Sequence, residues 1–110
     1  MDKSKTYIKM CEKAKEIQQL APSPTYEDKE FWHIDDDGDN TWLPRQDQLQ
    51  EMVKRGNAKF HPYNLLWRLM RFAHNSFDCT TMEQLWLAFV MKEKYNKTWN
   101  GEDWIQRNKL

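Results

Sequence analysis

"MEQLWLAFVMKEKY", Met82 to Tyr95, contains the longest apolar run of the chain, Leu85 to Met91, and its reading decides the fold. Met82, Leu85, Trp86, Phe89 and Val90 recur at helical spacing along one side, while Leu87, Met91 and Tyr95 occupy the other. A helix apolar nearly all round sits at the centre of a small fold, or else turns its second side to another subunit. Central placement is the expectation, because a small bundle needs one such helix and surplus apolar patches are rare on monomers. Thr80–Thr81–Met82–Glu83 reads as the capping box at its start.

Outward from that helix, the other elements show their own signals. Asp2 or Ser4 can cap a first helix, through which Tyr7, Met10, Cys11, Ala14, Ile17 and Ala21 recur at three and four. It ends before Pro22–Pro24. Phe31–Ile34 and Thr41–Leu43 are β-prone and flank Asp37–Gly38, which predicts a hairpin with its turn at those two residues. Pro44 suits the first turn of a second helix running to about Arg55, with Leu49, Met52 and Val53 inward and Gly56 as its stop. A third helix runs from His61–Pro62 to His74, with Leu65, Leu66, Leu69, Phe72 and Ala73 on one face. Asn100–Gly101–Glu102–Asp103 then starts a short last helix carrying Trp104 and Ile105. The expected fold is mostly α: four main helices and a short C-terminal helix in one domain, residues 1–110, with one small hairpin around residues 31–43.

Charge and composition narrow the function classes. Seventeen basic and seventeen acidic residues cancel over 110 residues. No global field therefore draws the chain to nucleic acid or an anionic membrane. Aromatics reach 14% with six tryptophans, so large rings build much of the core. The charge is uneven, however: Tyr26 to Asn40 holds seven acids against one lysine, and the first fifteen residues carry five lysines. Lys5, Lys9 and Lys13 share one face of the first helix; interleaved Glu12 and Glu16 make it a solvated back rather than an anion-binding ridge. Only Cys11 and Cys79 occur, and the opening MDKSKTYIK lacks the apolar core of a secretion signal. The expectation is a cytoplasmic protein with both thiols free. Leu85–Met91, at seven residues, is far short of the ~20 that span a bilayer, so no membrane segment is expected.

"HIDDDGDNTW", His33 to Trp42, is the stretch that most resembles chemistry. An EF-hand loop needs glycine at its sixth position and a bidentate glutamate at its twelfth. With Gly38 sixth, the twelfth residue is Pro44; starting from Asp35, the sixth is Asn40 and the twelfth Gln46. Both registers fail, and a tight turn flanked by solvated acids is the reading that remains. Zinc spacings, HExxH, GxSxG and glycine-rich phosphate loops are absent, and Cys79 beside Asp78 and His74 reads as an incidental thiol. No catalytic residue, metal or cofactor is expected, and the chain is read as a non-enzyme. The candidate partner-binding residues are Tyr63, Trp67, Arg71 and His74, spaced along the third helix away from its leucines, together with Asp36, Asp37 and Asp39 of the hairpin. Large aromatics are more often buried than displayed, so the plainer reading of the third-helix face is that a neighbouring helix or the hairpin covers Trp67 and leaves Arg71 to snorkel over it.

"TWLPRQDQLQEM" (Thr41–Met52) and "TTMEQLWLAFVMKEKYNKTWNGEDW" (Thr80–Trp104), with the first-helix pattern "YIKMCEKAKEIQ", resemble a family of small phage- and prophage-encoded proteins of Gram-positive bacteria. Members of that family have a glycine-containing strand region before "WLPRQDQL"; here the segment is acidic, so the resemblance does not extend to the hairpin. The family has no activity to carry over to any residue. What it implies is context: a bacterial cytoplasm and an accessory part in phage replication, regulation or host takeover. The leading expectation is a protein–protein interaction module, monomeric or weakly self-associating. Its rivals are a nucleic-acid binder using the Lys3–Lys15 helix with the Trp67/Arg71 face, and a small metal-dependent enzyme.

Overall fold

The computed structural model describes residues 2–22, 31–55, 68–73, 79 and 81–106. Along the chain lie α1 (Lys5–Lys13), α2 (Lys15–Gln18), β1 (Trp32–Ile34), β2 (Asn40–Trp42), α3 (Gln46–Arg55), α4 (residues 68–73), α5 (Met82–Tyr95), β3 (Lys97–Trp99) and β4 (Trp104–Gln106). The architecture is mostly helical with two antiparallel two-stranded hairpins, β1–β2 and β3–β4.

α5 is the centre of the core. Gln84, Trp86, Leu87, Ala88, Phe89, Val90 and Met91 are all buried, leaving no solvent face along the middle of the helix. Phe89 packs edge-on against Trp86 (centroids 5.9 Å) and tilted against Phe72 of α4 (5.6 Å). Tyr7, Met10, Cys11, Ala14 and Ile17 of the first helical segment, and Leu49 and Val53 of α3, fill in around it. Met82, read from the sequence as part of the buried stripe, is half-exposed because it stands in the first turn, beyond the packed helices. The cap also differs by one residue: Thr81 rather than Thr80 is the N-cap, its hydroxyl accepting from the Gln84 amide, while the Gln84 side chain donates to Asp2. Asn96 ends the helix in the left-handed conformation (φ 54°), the usual way a helix C-terminus turns away.

The first helix is two. Ser4 caps α1 by accepting from the Tyr7 amide, but Ala14 leaves the helical region (φ −83°, ψ 75°), and α2 restarts at Lys15. The periodic apolar positions on both sides of the break still reach the core, so the pattern survives while the helix does not. α3 begins at Gln46 rather than Pro44. Arg45 is the residue before its first turn, and its amide is taken by the Gln48 side chain (2.9 Å), half of a capping box that the sequence reading missed.

The C-terminal helix expected from Asn100–Asp103 is not formed; this segment is the turn of the β3–β4 hairpin. Asn100 makes the contacts expected of a helix cap, its side chain accepting from the amides of Glu102 and Asp103 (2.8 Å each). However, Gly101 takes φ 102°, and the Asn100 amide donates to the Asp103 carbonyl (3.1 Å), which closes a two-residue turn. Trp99 and Trp104 then stand opposite each other (5.1 Å between centroids), and the Trp104 indole N–H donates to the Met10 carbonyl of α1 (2.9 Å). Paired tryptophans and this long-range bond favour strands over a short helix.

The first hairpin forms where expected, with Trp32 opposite Trp42 and Ile34 opposite Asn40. Its turn differs in detail. Only Gly38 takes positive φ (83°); Asp37 does not, so a two-residue turn is replaced by a three-residue loop. The Gly38 amide donates to the Asp35 carbonyl (3.1 Å), and the Asp35 amide to the Asp39 carbonyl (3.0 Å). A Cβ at position 38 would meet open space, so its cost is conformational alone. Gly38→Ala is therefore expected to destabilise by about 1–2 kcal/mol in urea unfolding, with the core spectrum unchanged.

Candidate partner-binding surface

Asp35 organises the hairpin tip. Its Oδ1 accepts from the amides of Asp37 (3.0 Å) and Asp39 (2.8 Å), the local bonding that makes aspartate a turn former. That carboxylate is thus spent on the backbone, whereas Asp36, Asp37 and Asp39 are exposed around it. No cation pairs with these three among the described residues. Nor, among the described residues, does any group of three His, Cys, Asp or Glu side chains stand close enough to hold a metal ion. What the tip presents is a held backbone carrying three free carboxylates.

The two edges of this hairpin are unequal. In an antiparallel pair, residues alternate between exchanging hydrogen bonds and pointing their amides and carbonyls outward. Leu43 donates to the Phe31 carbonyl (2.7 Å) and Asp35 to that of Asp39, so Trp32, Ile34, Asn40 and Trp42 are the outward-bonding positions. On the β2 side the Gln18 side chain closes Trp42: its Oε1 accepts from the Trp42 amide (2.8 Å) and its Nε2 donates to the Trp42 carbonyl (2.9 Å). The same Nε2 also donates to the Cys11 carbonyl (3.1 Å), tying the strand to the α1–α2 break. On the β1 side, among the described residues, nothing bonds the outward groups of Trp32 and Ile34. Ile34 is 63% exposed, on the same face as Trp32, which packs against the core. These edge groups escaped the sequence reading, because the asymmetry comes from Gln18, far from the strand in the chain.

The third-helix face is seen only in part. Tyr63, Trp67 and His74 lie outside the described residues, as do Leu65 and Leu66; Arg71 is described, exposed and already engaged by another group. Leu69 is buried and Phe72 and Ala73 are half-buried, so the expected inner face of α4 is in place. Arg68 meets Glu93 of α5 (3.1 Å), and Lys92 stands over the Phe72 ring (5.2 Å).

The lysine face of α1 is the solvated back read from the sequence, with surface ion pairs the sequence did not announce. Lys9 pairs with Glu102 (2.5 Å) and Lys13 with Asp103 (3.6 Å), so the acids of the β3–β4 turn lie over two of the three lysines. The Lys9 side chain beside Glu102 holds that carboxyl below its usual value. Cys11 is not set up as a nucleophile: burial pushes its thiol up, against the thiolate that chemistry needs. His74 and Asp78, the sequence neighbours of Cys79, lie outside the described residues. No helix among the described residues is long and apolar enough to cross a membrane. No protein-family model, no curated protein and no solved structure matches this chain, so its surface is read from its own residues.

Proposed function

We propose that this chain is a non-enzymatic accessory protein of a phage or prophage of Gram-positive bacteria, working in the bacterial cytoplasm by protein–protein contact. The phage context rests on the wording of Thr41–Met52 and Thr80–Trp104. The observation that carries the contact role is the first hairpin tip: Asp36, Asp37 and Asp39 are exposed and unpaired by cations among the described residues, on a backbone braced by Asp35. Exposed carboxylates on a rigid turn favour a basic partner and repel phosphate. The nucleic-acid alternative is weakened, since two lysines of its proposed ridge already face Glu102 and Asp103.

Pull-downs from a Gram-positive bacterial lysate, treated with nuclease, test the reading. The wild-type chain is expected to retain a defined protein that the Asp36→Asn/Asp37→Asn/Asp39→Asn variant loses. A Trp67→Ala/Arg71→Ala variant tests the second face in the same experiment. Equal capture by all three proteins removes both surfaces, and retardation of DNA in gel shifts at moderate salt would move the chain to the nucleic-acid class.

A further inference from the structure

We infer that the outer edge of β1 is a strand-addition site, taking an extended peptide whose N-terminal end is basic. The inference rests on the contact role proposed above and names the mode and chemistry of that contact. Three independent features meet at this edge. The outward amides and carbonyls of Trp32 and Ile34 bond to nothing among the described residues, whereas the β2 edge is closed at Trp42 by Gln18. Ile34, 63% exposed, offers an apolar side chain beside those groups. Asp36, Asp37 and Asp39 stand at the end of the strand. The other hairpin ends in acids as well, but Glu102 and Asp103 are already matched by Lys9 and Lys13.

The geometry sets the occupant. An antiparallel third strand would place one residue opposite Ile34 and the next-but-one opposite Trp32, each exchanging two bonds, for about four backbone hydrogen bonds. Directly opposed side chains share a face, so both of those residues are apolar. The residues before them in the peptide lie beside the turn, where lysine or arginine meets the three carboxylates. The pattern is therefore basic–basic–apolar–any–apolar, read from the N-terminus. A second copy of this chain fits less well. Residues 32–40 hold four aspartates and no lysine or arginine, so β1 paired with itself supplies no basic end to meet them.

The test uses the full chain and the synthetic peptide acetyl-Lys-Arg-Val-Thr-Val-Thr-amide, carrying a fluorophore for anisotropy. Binding is expected with chemical-shift changes at residues 32–34, and raising the salt concentration weakens it severalfold. Methylating the amide nitrogens of both valines removes the two bonds that the peptide donates to β1 and lowers affinity by about tenfold or more, while methylating the intervening threonine nitrogen leaves all four bonds intact. In the protein, Ile34→Pro deletes the outward donor without touching the β1–β2 ladder, and weakens binding by about fivefold. If that variant fails to fold, the methylated peptides on the wild-type chain decide alone.

No binding, or equal binding of all three peptides, overturns the inference. Binding that depends on Asp36, Asp37 and Asp39 but not on the valine amides also overturns it, while leaving the proposed contact role standing. A concentration-dependent dimer abolished by Ile34→Pro would assign the edge to a second copy and overturn it likewise.

Discussion

Phe89→Ala is expected to cost about 3–5 kcal/mol, a large fraction of the stability of a domain of this size. Phe89 is 1% exposed and lies in the middle of α5, between Trp86 on its own helix and Phe72 on α4. Its loss forfeits the transfer of a buried ring, and opens a cavity between two helices whose other contacts hold them apart. The aromatic geometry adds to the loss, since tilted and edge-on pairs contribute about 0.5–1.5 kcal/mol beyond area. Urea unfolding followed by circular dichroism measures it. Phe89→Leu, which keeps most of the volume, should cost less than about 1.5 kcal/mol. A loss below 1 kcal/mol for the alanine variant would mean that α4 does not pack on α5 as described.

The second large effect is at the other end of α5. Asp2 joins the starts of two helices: its Oδ1 accepts from the Ser4 amide (2.8 Å), and its Oδ2 from the Thr81 hydroxyl (2.5 Å) and the Gln84 side chain (3.0 Å). Ser4 caps α1 and Thr81 caps α5, so one carboxylate fastens both caps. Burial alone would raise its pKa, but the bonds from Thr81, Ser4 and Gln84 outweigh burial and hold it below the ordinary 3.8. A carboxyl lowered by folding stabilises fully above the unfolded value, and that contribution is lost as pH falls through the folded one. Wild-type stability should therefore decline below pH 3.8, and Asp2→Asn should flatten part of that decline. Glu16, drawn down by Lys97 against the opposing effect of burial, accounts for some of the remaining slope. At neutral pH, Asp2→Ala is expected to cost about 1–2 kcal/mol, allowing for the carboxylate's partial exposure to solvent. Unfolding midpoints measured across pH for the three proteins check both statements. Parallel curves for wild type and Asp2→Asn would dismiss the carboxylate as a fastener.

How far these elements were legible depends on the range of the interaction that makes them. The position of α5, its burial on all sides and the inward face of α1 follow from spacing, because a helix repeats its own geometry. The Asp37–Gly38 turn was legible in place, since glycine is the residue that tolerates φ 83°, but not in type. At the C-terminus, Asn100 looks the same in a helix cap as in a turn: in both it bonds amides two and three residues ahead. What separates them is Trp104 reaching the Met10 carbonyl, 94 positions away. The acidic tip of the candidate surface was visible as composition, whereas the β1 edge beside it, unbonded among the described residues, was not.

By itself the sequence determined a cap at Asp2 or Ser4, the buried helix around Leu87, the site of the first hairpin and its load of carboxylates. All of these rest on interactions within a few residues, where identity and spacing suffice. Only the tertiary structure decided that Glu102 and Asp103 pair with Lys9 and Lys13, and that Gln18 closes the β2 edge of the hairpin at Trp42 while the β1 edge is bonded by nothing among the described residues. Those outcomes depend on which distant polar groups meet once the core around α5 has formed. A side-chain amide can satisfy a strand edge from anywhere in the chain, and nothing local announces that it will.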